Sequence, residues 1–244
     1  MLRAVKKRIE GVLKPYPVLY RMASRAYHVL DRSSTALSRG TPDALRRAFT
    51  AARERRPDGV GHYYEFGVYR GGALAEAYDA CRELGLEGTR LWGFDSFQGL
   101  PPVEGIDETD GLFYEGQFAA SKESVERNLS RRGVDWNRTT LIEGFFSESL
   151  TEETKRSHPF GHVGVALIDC DLYSSTTEVL DWLASLLDDG SILLFDDWET
   201  FGDREDLGQK KAFADFLAAH PDLEAEDLLT FEPHGRGFVV RRAS

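Results

Sequence analysis

Apolar positions change their spacing along the 244-residue chain, and the change divides it in two. Near the start they fall at Leu2, Val5, Ile9, Val12 and Leu13, a helical stripe that Pro15 and Pro17 interrupt. A second helix is predicted over Val18–Leu30. A third follows Thr41, a capping type of residue with Pro42 in its first turn, and SSTALSRG lies between them as a loop. From His62 short apolar runs alternate with longer amphipathic ones. Strands are predicted at HYYEFG (62–67), RLWGFD (90–95), TTLIEG (139–144), VGVALID (163–169) and SILLFD (191–196). These runs are apolar almost throughout, as strands covered on both faces are. Helices fit between them at Gly72–Leu84, Lys122–Arg132, Leu150–Arg156 and Ser175–Leu187. Another near Leu207–Ala219 precedes DLLTFEP and GFVVRR, two runs joined by PHGRG as a hairpin.

Five β-then-α units and a terminal hairpin predict an α/β fold. Its sheet is Rossmann-like and doubly wound, with seven mostly parallel strands and an antiparallel strand at the end. Residues 1–59 read as an N-terminal helical cap or extension and 60–244 as the main domain. In such sheets ligands sit at the carboxyl ends of the strands, where the polar motifs of this chain fall.

Composition narrows the classes. A hydrophobic content of 41% supplies a sizeable core, and an aromatic content of 11% argues against disorder. The net charge of −11 is uneven: residues 1–59 hold 14 Lys/Arg against 5 Asp/Glu, so the main domain is strongly acidic. That disfavours nucleic acid, which needs a basic footprint. The basic N-terminal helices read as a solvated cap in preference to a membrane contact, and they leave open a homodimer. Charges where a signal peptide needs its apolar centre argue against secretion. Cys81 and Cys170 stand on different elements and give no disulfide framework, so a reducing cytoplasm is expected.

The first strand closes on Glu65-Phe66-Gly67-Val68-Tyr69-Arg70-Gly71-Gly72, a glycine turn that lets backbone pass close to a ligand. An acid at its start would repel a pyrophosphate and suits a cationic ligand, such as the amino group of a methionine moiety. The second strand ends in Asp95, 30 residues beyond Glu65, where a carboxylate can accept from both ribose hydroxyls. Ser96 and Phe97 follow as candidates to line an adenosine pocket. Glu143 and Gly144 end the third strand as candidates for the adenine edge, with Phe145 as an apolar wall. Acids at three consecutive strand ends favour S-adenosylmethionine over NAD.

Four more acids end the next two strands: Asp169 and Asp171 in ALIDCDLYSST, then Asp196 and Asp197 in SILLFDDW. Carboxylates crowded at one sheet edge repel each other, and a hard divalent cation such as Mg²⁺ is the usual compensation. Cys170 between the first two reads as a buried spacer. Tyr173 and Trp198 either stack on an acceptor or pack at a strand end. The polar loop Pro101–Gln117 either closes over substrate or is solvated. The six histidines lack zinc-ligand spacing.

EFGVYRGG, GFDSFQGLP, IDCDLYSST and FDDW, in that order, resemble the macrocin O-methyltransferase family of class I methyltransferases over about residues 60–200. Members methylate sugar hydroxyls on antibiotics and related glycosides. The resemblance implies an S-adenosylmethionine-dependent domain with Asp169, Asp196 and Asp197 as Mg²⁺ ligands and Asp171 as base. It also implies Glu65, Gly67, Asp95 and Ser96 around the cofactor, joined in the turn by Tyr69 and Gly71. An acid after the third strand is expected too, which here is Glu143 or Glu148. The acceptor expected is a sugar or glycoside. The alternatives are a catechol-type small-molecule O-methyltransferase and, from another class, a DxD metal-dependent glycosyltransferase.

Overall fold

The computed structural model describes residues 37–109 and 111–242. The predicted helices at 2–14 and 18–30 lie outside these residues. Seven strands form one sheet in the order β3-β2-β1-β4-β5-β7-β6. They are β1 (His62–Phe66), β2 (Leu91–Asp95), β3 (Thr139–Glu143), β4 (Val163–Ile168), β5 (Ile192–Phe195), β6 (Leu223–Phe231) and β7 (Gly235–Arg242). The first five run parallel, and β7 pairs antiparallel with both β5 and β6. Chain order reverses between β1 and β4, so their carboxyl ends open a crevice at the switch point.

The strands are apolar throughout because both faces are covered. Side chains alternate across a strand, so Tyr63, Val165, Leu167 and Ile192 enter one core, and Tyr64, Phe66, Ala166 and Leu193 the other. Helices α1 (Thr41–Arg55), α2 (Gly72–Glu83) and α3 (Lys122–Arg131) cover the first face. Helices α6 (Tyr173–Leu183) and α7 (Gly208–Ala219) cover the second. In α1 the stripe Ala44, Leu45, Ala48, Phe49 and Ala52 is fully buried. Residues 41–55 are therefore part of the sheet's own core and not an appendage to it.

Local chemistry moves some boundaries. The helix predicted at Leu150–Arg156 is two short ones, α4 (Phe146–Ser149) and α5 (Glu152–Ser157). The chain breaks between them because the Thr151 hydroxyl accepts from Thr154 N–H at 3.1 Å and starts a new helix. Thr41 opens α1 with Pro42 in the first turn, but its hydroxyl makes no cap. It turns instead to Asp196. Both cysteines are free and buried. No described helix is long and apolar enough to cross a membrane.

Candidate active site

A cavity of about 910 Å³ opens over the carboxyl ends of the strands. One end is walled by the turns after β1, β2 and β3, where Gly67, Tyr69, Asp95, Ser96 and Gly144 line it. The floor carries Asp169, Asp171, Asp196 and Asp197 from the ends of β4 and β5. The far rim is made by Ser38 and Arg39 ahead of α1 and by Pro233 and His234 of the β6–β7 hairpin.

Glycine is required where the two halves meet. Gly67 has φ +93°, and a Cβ there would lie 1.8 Å from the Asp169 carbonyl oxygen. The turn after β1 thus touches the backbone of the acidic motif after β4 with no room for a side chain. The Asp169 N–H donates to Phe66 C=O at 2.9 Å, which fixes that contact from the other side.

The acids sit at distinct points. Asp171 is left-handed (φ +61°), and the Leu172 N–H closes on Cys170 C=O at 2.6 Å, a tight turn with Asp171 at its apex. Asp196 accepts from Ser38 Oγ at 3.2 Å and from Thr41 Oγ1 at 3.4 Å. Asp197 Oδ1 accepts from Thr200 Oγ1 at 3.1 Å, whereas its Oδ2 is buried with no hydrogen-bond partner. Burial raises the pKa of all four acids. Neighbouring carboxylates raise Asp169 and Asp171 further, and Asp196 reaches about 7 with Asp197 beside it. Among the described residues, no three His, Cys, Asp or Glu side chains converge as a formed metal site. The expectation that Asp169, Asp196 and Asp197 grip one ion therefore rests on donor chemistry, not on a ready polyhedron.

Other expected residues stand behind the wall. Glu65 is fully buried, accepts the Tyr63 hydroxyl at 2.6 Å and leaves Oε1 unpartnered. Gly71 is left-handed ahead of α2, and a Cβ there would press on Leu129 at 3.0 Å, so it serves packing against α3. Phe97 is 7% exposed and belongs to the core. Glu143 pairs with Lys122 at 3.4 Å with its side chain 54% exposed, and Glu148 is exposed as well. Neither acid lines the cavity; after β3 the lining is Gly144, Phe145, Phe146 and Ser147. Glu143 shares a face with the buried Thr139 and Leu141 but is the last residue of the edge strand β3, where its carboxylate turns to Lys122 at the start of α3. Trp198 packs on Phe195 and Phe238, Tyr173 donates to Asp215 at 2.8 Å, and neither lines the cavity. The loop over 101–117 is pinned at its base, with Leu100 N–H to Gln117 C=O and Gly116 N–H to Leu100 C=O both at 2.9 Å.

Three contributors carried no role in the sequence reading. Ser38 and Arg39 sat in a segment that carried no motif. Gln209 is 1% exposed; its Oε1 accepts from Asp197 N–H at 3.0 Å and its Nε2 donates to Ile168 C=O at 2.9 Å. It thereby ties the end of β5 to the end of β4. A lone amide in register with Ala212, Phe213 and Phe216 on the buried stripe of α7 was a legible signal.

The Macrocin-O-methyltransferase (TylF) family model matches residues 31–221 of this sequence. The chain belongs to this family. Among its relatives is the 8-demethyl-8-(2,3-dimethoxy-alpha-L-rhamnosyl)-tetracenomycin-C 4'-O-methyltransferase of Streptomyces olivaceus, 33% identical over 147 residues, 58% of this chain and 54% of that protein. Another is the mycinamicin III 3''-O-methyltransferase of Micromonospora griseorubida, 30% identical over 149 residues, 58% of this chain and 57% of that protein. The chain thus spans somewhat more than half the length of the curated relatives it matches. The O-methyltransferase NovP superposes with TM-score 0.69 at 23% identity, covering 83% of this chain and 79% of its own. The calicheamicin methyltransferase CalS11 gives 0.65 at 23%, covering 97% and 91%. These two establish the fold: a class I, Rossmann-like sheet with antiparallel terminal strands.

Proposed function

We propose that this protein transfers a methyl group from S-adenosylmethionine to a hydroxyl of a sugar or glycosylated natural product, with a divalent cation on the acidic floor. The observation that carries this reading is that one cavity holds both the glycine turn of β1 and the four acids of β4 and β5, joined at Gly67 and Asp169. Family membership supports the reaction class. The acceptors that name these relatives, a rhamnosyl tetracenomycin and mycinamicin III, support a glycoside.

Gly67, Tyr69, Ser96 and Gly144 would wall the cofactor, with Glu65, Gly71 and Phe97 supporting that wall from inside the protein. Bound there, the cofactor supplies an electrophilic sulfonium methyl group. The chain's part is then to align an acceptor oxygen for in-line attack, and positioning of this kind contributes much of such an acceleration. The Asp171 carboxylate, at the apex of its turn on the cavity floor, would take the acceptor's hydroxyl proton. Oxygen donors alone, a buried Asp197 Oδ2 with no partner, and mutually repelling acids fit a hard cation such as Mg²⁺. Asp169, Asp196 and Asp197 would hold it, and it would supply Lewis-acid stabilisation of developing alkoxide charge.

Calorimetry with S-adenosylhomocysteine and with a nucleotide sugar tests the class. Binding of the homocysteine compound is expected; binding of the nucleotide sugar alone would replace this reading with a glycosyltransferase. Screening glycosides and catechols with methyl-labelled cofactor then separates the sugar acceptor from the catechol one. Label transfer should cease in EDTA.

A further inference from the structure

Asp95 does something that its place at the end of β2 did not foretell. Its Oδ2 accepts from Val68 N–H at 2.7 Å and Tyr69 N–H at 2.8 Å, and its Oδ1 accepts from Phe97 N–H at 2.7 Å. Two of these three donors belong to residues with left-handed backbone, Tyr69 at φ +48° and Phe97 at φ +55°. A bulky L-residue in that region is strained and stays there only if its surroundings hold it. Hydrogen bonds to a charged acceptor are about twice as strong as neutral ones, so a single carboxylate can offset both strained turns. The main chain of the same residue reaches a third turn: Asp95 C=O accepts from Gly144 N–H at 3.1 Å. The three turns that wall one end of the cavity therefore converge on residue 95.

We propose that Asp95 is a positioning residue for the cofactor site, whose carboxylate staples the left-handed turns at Tyr69 and Phe97 into the shape that receives the cofactor. This rests on the methyltransferase reading above. A carboxylate offers about four lone-pair positions, and three are filled from within the protein. A bidentate grip on two ribose hydroxyls would need two that are open. The side chain's main partners are thus its own loops, and any hydroxyl of the cofactor meets at most the remaining position.

The test compares Asp95→Asn with the unaltered protein, using S-adenosylhomocysteine and its 2′,3′-dideoxyribose analogue in calorimetry. An amide side chain has one acceptor oxygen and faces at least one N–H with a donor, so both compounds should bind about tenfold more weakly, by the same factor. The KM for S-adenosylmethionine should rise while kcat at saturation stays within about threefold. Loss of affinity for S-adenosylhomocysteine alone, with the dideoxy analogue unaffected, would make Asp95 a ribose ligand and overturn the proposal. So would a fall in kcat with KM unchanged. Amide hydrogen exchange in the free, unaltered protein supplies an arm that needs no variant. The Val68, Tyr69 and Phe97 amides should be protected although they lie in loops, and exchange at open-chain rates would sink the staple. Failure of the unaltered protein to bind S-adenosylhomocysteine would instead remove the cofactor reading, a separate outcome from the exchange result.

Discussion

The Asp107 carboxylate reaches across from the loop after β2 to Tyr173, whose backbone N–H it accepts at 2.7 Å, and takes the next N–H, of Ser174, at 3.2 Å. These are the first donors of α6, which no local side chain caps. The helix starts two residues after Asp171. Leu172 between them is 1% exposed and packs with Leu100 and Phe113 of the same loop. A residue 66 positions away therefore fixes the chain that carries the proposed base.

Asp107→Ala should lower stability by about 1–2 kcal/mol, the usual worth of a lost cap. Methyl transfer should fall several-fold more than cofactor affinity, since the loss is felt on the Asp171 side. Thermal unfolding and calorimetry give the two numbers. An unchanged melting temperature would show that the cap carries no weight.

Gly67→Ala meets two obstacles at once, a positive φ and a Cβ 1.8 Å from the Asp169 carbonyl. β1 and β4 would have to part at their ends. A loss on the order of 3 kcal/mol is expected together with loss of S-adenosylhomocysteine binding. A variant that melts and binds as the original does would mean that the turn tolerates opening.

Glu65 makes a statement about pH. Burial raises its carboxyl from the ordinary 4.5 to about 8, against the pull of the Tyr63 hydroxyl. The folded protein then keeps a proton between about pH 4.5 and 8 that the unfolded chain has released. Stability from this group therefore falls as pH rises through that window and is flat above it. Glu65→Gln keeps an acceptor for Tyr63 and cannot ionise. Its stability should match the original near pH 4.5 and exceed it above pH 8, by an amount on the order of 5 kcal/mol that thermal or denaturant unfolding reads. A difference that does not change with pH would refute the buried, protonated state.

Asp197→Asn should separate repulsion from metal binding. In EDTA the variant is expected to be as stable as the original or more so, because a neutral amide relieves the carboxylates beside it. Adding MgCl₂ should raise the melting temperature of the original and leave the variant almost unmoved. Equal shifts in both proteins would take Asp197 out of the ligand set. S-adenosylhomocysteine affinity should be nearly the same in the two.

Much of this protein was written in the order of its residues. Short runs, apolar almost throughout because both faces are covered, placed five parallel strands, and the glycine turn and paired acids fell at their carboxyl ends because strand ends are where polar residues interrupt an apolar run. The DxD and DD motifs were legible for that reason, and with EFGVYRGG and GFDSFQGLP they carried the family resemblance. What the chain order could not give was direction and distance. Whether Glu143 faces the cavity depended on the start of α3 bringing Lys122 to within 3.4 Å of its carboxylate. That Ser38 and Thr41 reach Asp196, 158 and 155 residues away in sequence, required α1 to fold against β4 and β6. Asp95 looked like a ligand for sugar hydroxyls from its strand end alone. Only the folded chain turned three backbone N–H groups toward it, because a hydrogen bond depends on where atoms meet in space and not on their spacing along the chain.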